Sequence, residues 1–173
     1  MRIIDVHTHP IFFGQGRKES EINQLVAHGR SHGVERMIAL GDVLRYGARP
    51  DAAQLIKLNN ETGRLQKLHP GYFISFCYLN PLLGEKAVMM EAERCVTKFG
   101  FKGIKLEIAN NASDPCMKHI IKAARTFQIP VLQHSWSSTN FGPELKDHSD
   151  PDDTAALARK YPDVNIIMAH LVG

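Results

Sequence analysis

Six short β-branched runs, at residues 2–7, 34–40, 71–78, 103–108, 130–135 and 164–169, alternate with single stretches of helical spacing. The helical stretches fall at about 18–32, 50–66, 84–99, 114–127 and 150–160. Strands and helices alternating roughly every 30 residues imply right-handed βαβ units and a parallel sheet. The punctuation agrees. Pro50-Asp51 opens the second helix, Gly33 and Gly100 follow helical stretches as C-terminal caps, and Pro130 and Pro162 end the fourth and fifth helices. In the third helix Val88, Ala92, Cys95 and Phe99 share one stripe, with Glu91, Glu93 and Lys98 elsewhere.

Two architectures satisfy this alternation, an open doubly wound sheet and a barrel. No Gly-x-Gly-x-x-Gly follows the first strand, so the phosphate signature of the dinucleotide folds is absent. The first strand instead runs Ile3-Ile4-Asp5-Val6-His7-Thr8-His9-Pro10. Alternation puts Asp5, His7 and His9 on one face and Ile4, Val6 and Thr8 on the other. Pro10 cannot donate to a ladder, so the strand should stop with both histidines at its C-terminal end. Imidazoles at i and i+2 can converge on one divalent metal.

In a (β/α)8 barrel the active site is built from the C-terminal ends of several strands. The fourth strand reads Gly103-Ile104-Lys105-Leu106-Glu107-Ile108, an apolar face of Ile104, Leu106 and Ile108 against a polar face of Lys105 and Glu107. The fifth ends in His134 and the sixth in His170. Either histidine alone is as readily a satisfied histidine near a strand end. Four strands ending in His-x-His, Lys-x-Glu, His and His make a shared metal site the leading reading. His28 and His32, one turn apart near the end of the first helix, read as a surface pair favoured by the helix dipole. His69 and His119 are not assigned to the site, nor is His148, although the loop after strand five brings it within reach. Trp136 and Phe12-Phe13 follow ligand strands and are equally pocket walls or packing residues.

Composition bounds the function. The chain has 173 residues, 43% hydrophobic and 23% charged, which suits one soluble domain over 1–173. Its formal charge of +3 is dispersed, without the basic run that a nucleic-acid or membrane surface would require. No apolar stretch approaches the roughly 18 residues of a membrane span. The N-terminus does not read as a signal peptide. Cys77, Cys95 and Cys116 are scattered and odd in number, which argues against a disulfide framework and for a reducing cytoplasm.

Asp5-Val6-His7-Thr8-His9-Pro10, Pro130-Val131-Leu132-Gln133-His134 and the segment from Tyr161 through His170 to Leu171 resemble the amidohydrolase superfamily, the last motif its amidohydrolase-related branch. That branch holds metal-dependent hydrolases of small molecules and non-oxidative decarboxylases. The resemblance implies a TIM-type (β/α)8 barrel of which this chain carries the first six strands, about three quarters. It implies His7, His9 and His134 as metal ligands. It implies His170 as a second-metal ligand in two-metal members, or as the group contacting substrate or reactive water in one-metal members. Two-metal members take a bridging ligand from the fourth strand, either a carbamylated lysine or a glutamate. Both Lys105 and Glu107 are present, and Glu107 is preferred because it lies nearer the strand end, with Lys105 its ion-pair partner.

One departure stands out. The family ends its eighth strand with an aspartate that binds metal and takes the proton from water, and this chain stops at Gly173. A complete barrel typically needs about 250 residues, so a fragment is the favoured reading over closure by another chain, and a homo-oligomer stays open. Six strands would leave the edges of strands one and six exposed. The expected activity is hydrolysis of a small amide, ester or lactone by water activated on one or two divalent ions, zinc first, with manganese, iron or cobalt as alternatives. Non-oxidative decarboxylation at the same site is the close second. A metal-dependent deoxyribonuclease and an inactive metal-binding fragment are the remaining alternatives.

Overall fold

The computed structural model describes residues 2–11, 18–43, 45–47, 49–107, 110–136 and 148–170. Phe12, Phe13 and Ile108 therefore lie outside the described residues. All the expected elements are present: β1 (Ile3–Thr8), α1 (Glu19–Ser31), β2 (Val34–Ala39), α2 (Ala52–Leu68), β3 (Phe73–Tyr78), α3 (Glu85–Phe99), β4 (Gly103–Leu106), α4 (Met117–Phe127), β5 (Val131–His134), α5 (Pro151–Lys160) and β6 (Ile166–Ala169). A 3-10 turn at Pro81–Leu83, capped by the Asn80 side chain, has no counterpart in the sequence reading.

Cap chemistry sets the helix ends. The Asp51 carboxylate accepts the Gln54 amide, and the Gln54 side chain accepts the Asp51 amide, so α2 starts after Asp51 rather than at Pro50. The same box joins Asp150 and Asp153 ahead of Pro151 in α5. Gly100 closes α3 in the left-handed conformation, φ 70.

The six strands are parallel and lie in the order β1-β2-β3-β4-β5-β6. A doubly wound sheet reverses direction partway, so this unbroken order is that of a singly wound barrel. In a flat sheet β1 and β6 would stand about 24 Å apart, five strand spacings. The His7 and His170 rings at their ends are instead 4.8 Å apart, so the sheet is curled. Six strands with alternating helices thus form a partial (β/α) barrel.

The curl separates two apolar layers. Ile38, Leu40, Phe76, Leu132 and Ala169, from β2, β3, β5 and β6, fill the concave side. Cys77, Ile104, Leu106 and Val131 on the convex side pack on Val88, Ala92, Cys95, Ile120 and Ile121 of α3 and α4. Gly103 lies opposite Phe76 in the ladder, and a Cβ added there would stand 2.5 Å from the Phe76 ring. That close approach requires glycine.

Glu91, off the apolar stripe of α3, is buried. Its Oε1 accepts from Asn59 Nδ2 at 2.7 Å, and both its oxygens pair with Arg94. Asn59 in turn hydrogen-bonds both backbone polar groups of Tyr78, pinning α2 to β3. The outer face of β1 is open, with Ile4 52% and Val6 49% exposed. Cys77 and Cys95 are buried and Cys116 is half-buried, all as free thiols. Among the described residues no helix is long and apolar enough to cross a membrane.

Candidate metal centre

The C-terminal ends of β1, β4, β5 and β6 bring the predicted residues to one rim. Strand alternation delivers the first set: His7 and His9 from β1, Lys105 and Glu107 from β4 and His134 from β5 all face the concave side. His170 arrives differently. Ile167 and Ala169 hold the concave positions of β6, so alternation alone would turn residue 170 outward. His170 instead adopts a left-handed backbone, φ 59, and its ring lies 4.8 Å from the rings of both His7 and His134. A non-glycine residue in that region costs about 1–2 kcal/mol, and such strain concentrates at functional sites.

The ring nitrogens carry the chemistry. His9 Nδ1 lies 2.9 Å from the Gly41 carbonyl, which can only accept, so Nδ1 holds the proton and Nε2 is the basic nitrogen. His9 Nε2 is 3.3 Å from His7 Nε2. Two imidazoles bound to one ion at 2.0–2.1 Å in tetrahedral geometry would have their nitrogens about 3.4 Å apart. His134 Nε2 is buried without a hydrogen-bond partner, while its Nδ1 lies 3.4 Å from Glu107 Oε1. An orphaned nitrogen in a buried imidazole cluster fits a divalent metal ligand. Among the described residues no three such side chains already surround one point at metal-bonding distance.

Electrostatics keep the rings neutral and so competent to ligate. Burial, reinforced by the Lys105 ammonium, lowers His7 to about 3 and His134 to about 2. His9 falls to about 4, again chiefly by burial, with its bond to Gly41 opposing the shift. Burial and Lys105 also lower His170. Lys105 is fully buried, and burial pushes its own pKa down against the pull of Glu107, whose Oε2 stands 3.6 Å from Nζ.

Three further residues border the site. Trp136 stacks on His134 at 6.2 Å between centroids and lies 4.9 Å from His170, which makes it a wall of the site. His148 is buried with its ring 6.4 Å from His134. It is held there by a network between the loops after β4 and β5. Asn111 Nδ2 donates to the His148 carbonyl at 2.6 Å, and Gln133 Nε2 donates to the Asn110 carbonyl and to Ser149 Oγ. Buried Asp42 follows Gly41, and its charge raises the His9 pKa. Sequence patterning did not place Asp42 at the site; its one signal is a position just past the end of β2. His28 and His32 are an exposed pair, His69 bonds Asn23, and His119 lies 3.8 Å from Glu85, away from the site.

A family model described as amidohydrolase matches residues 4–173. No curated protein matches. Among solved structures, the chain is similar to 2,6-dihydroxybenzoate decarboxylase from Rhizobium, with TM-score 0.69 and 18% identity over 98% of this chain and 66% of that one. It is similar to 4-oxalomesaconate hydratase from Rhodopseudomonas palustris, with TM-score 0.67 and 15% identity over 96% of this chain and 62% of that one. A third is dihydroxybenzoic acid decarboxylase from Polaromonas sp. JS666, with bound manganese and the inhibitor 2-nitroresorcinol. There the TM-score is 0.62 and identity 16%, over 96% of this chain and 64% of that one. The chain spans less than two thirds of the length of each of these, and at such identities the likeness speaks for the fold. The family match covers nearly every residue, and the chain belongs to the amidohydrolase family.

Proposed function

We propose that this chain carries the metal centre of a non-oxidative decarboxylase acting on a small aromatic or unsaturated hydroxy-carboxylate. The observation that carries the reading is the paired His7 and His9 Nε2 atoms, 3.3 Å apart, beside the buried, unpartnered Nε2 of His134. These three nitrogens would hold one divalent ion, with Glu107 and His170 in the same centre. A divalent ion there would polarise the substrate's oxygen. Manganese in a decarboxylase of the same fold makes it as good a candidate as zinc.

The chain's own residues complete the chemistry. Trp136 offers a flat apolar wall for a planar substrate and excludes water on that side. Loss of carbon dioxide breaks the bond between carboxyl and ring carbon and leaves the electron pair on that carbon, which must take a proton. His170, its ring 4.8 Å from those of both His7 and His134, would orient the group that delivers it.

Hydrolysis of an amide, ester or lactone is the second reading, favoured by the family match and by the hydratase of the same fold, since both reactions add water. Elemental analysis of gently purified protein should find about one divalent ion per chain, lost in His7→Ala/His9→Ala. Absence of metal from the native chain overturns both readings. Dihydroxybenzoates and lactones offered in 18O water then separate them. Carbon dioxide released without label in the product identifies decarboxylation, and label incorporated without carbon dioxide identifies hydrolysis.

A further inference from the structure

Glu107 is buried just beyond β4, and its two carboxylate oxygens face different partners at ion-pair separation. Oε2 faces Lys105 Nζ at 3.6 Å, and Oε1 faces His134 Nδ1 at 3.4 Å. A carboxylate can only accept, so a negative oxygen 3.4 Å away favours hydrogen on the His134 nitrogen turned toward it. The other nitrogen, Nε2, is the buried atom without a partner. Metal-binding histidines commonly show this arrangement, one nitrogen on the ion and the other donating to a carboxylate that fixes tautomer and ring orientation. Lys105 has a structural reason to be present: its ammonium stands 3.6 Å from the second oxygen and balances the charge of a buried carboxylate.

We propose that Glu107 is a positioning residue for His134, anchored by Lys105, and acts through that imidazole rather than by ligating the ion itself. The assignment rests on the metal reading above and replaces the direct ligation that the family resemblance implies for this position. It makes Lys105 and Glu107 one unit, so the choice between them as the fourth-strand ligand falls away.

The test is titration of the full chain with Mn2+, reading stoichiometry and affinity by calorimetry. It is joined by imidazole 15N–1H spectra of the metal-free protein. The wild type should bind one ion and His134→Ala none. Glu107→Gln, whose amide oxygen still accepts from Nδ1, should bind one ion within about threefold of wild type. Glu107→Ala should bind one ion about 10–100-fold more weakly. In the metal-free spectra His134 should hold its proton on Nδ1 in the wild type and in Glu107→Gln, and shift toward the Nε2–H form in Glu107→Ala. Three results overturn the proposal: Glu107→Gln losing the ion as completely as His134→Ala, a wild type binding two ions where Glu107→Ala binds one, or an unchanged tautomer in Glu107→Ala. Unimpaired binding by His134→Ala defeats the metal reading itself, a separate failure. If Glu107→Gln does not fold because Lys105 is stranded, Lys105→Met/Glu107→Gln carries the same expectation with that ammonium removed.

Discussion

Strands β1 and β4 supply the site in the same way and are supported in opposite ways. Each turns polar residues inward, His7 and His9 from one, Lys105 and Glu107 from the other. Behind β4, Ile104 and Leu106 are wholly buried against α3 and α4. Behind β1, Ile4 and Val6 are about half exposed. The β4 half of the site therefore rests on a closed apolar layer. The β1 half is held by its ladder to β2, by the Thr8 carbonyl accepting from Leu40 N and by the bond from His9 to Gly41. Packing fixes one ligand strand, and hydrogen bonding fixes the other.

Truncation behind β4 is the harshest challenge to that contrast. Leu106→Ala removes a fully buried side chain from the layer between sheet and helices and should cost about 2–5 kcal/mol in chemical denaturation. It should also weaken metal binding, because Glu107 follows directly in the chain. A cost below about 1 kcal/mol would mean that the convex layer is not what holds β4. Next comes Gly103→Ala, on the concave side of the same strand. Its Cβ would collide with the Phe76 ring, and the expected cost is about 1–3 kcal/mol, the range for overpacking. Phe76→Leu in the same chain should recover part of that loss, and absence of any recovery would place the strain elsewhere.

The same contrast explains what was readable in the sequence. Period-two alternation put Lys105 and Glu107 on one face of β4 and Ile104 and Leu106 on the other, and the structure keeps that division. The i, i+2 spacing of His7 and His9 worked for the same reason. Where alternation stops, legibility stops. His170 reaches the site because its backbone turns left-handed after β6, and nothing in the run up to Ala169-His170 announces that turn. His148 owes its place to contacts between loops distant in sequence, such as Asn111 with the His148 carbonyl. Glu91 lies off the apolar stripe of α3, and its burial depends on Asn59 arriving from α2. Local periodicity encodes faces of elements, while residues placed by partners far along the chain leave no local mark.

The smallest expected effect is the sharpest probe of β1. Val6→Lys places a charge where the side chain is 49% exposed, and a surface substitution of this kind should change stability by no more than about 0.5 kcal/mol. The same exchange at Ile104 would bury a charge with no partner and should prevent folding. Metal affinity should follow the same order, unchanged in Val6→Lys, because His7 and His9 point to the opposite face and their Nε2 pair does not depend on what lies behind the strand. A loss of 2 kcal/mol or more in Val6→Lys would show that the outer face of β1 is covered in solution, by a second copy or by further chain. The apparent asymmetry between β1 and β4 would then belong to these 173 residues taken alone rather than to the working protein.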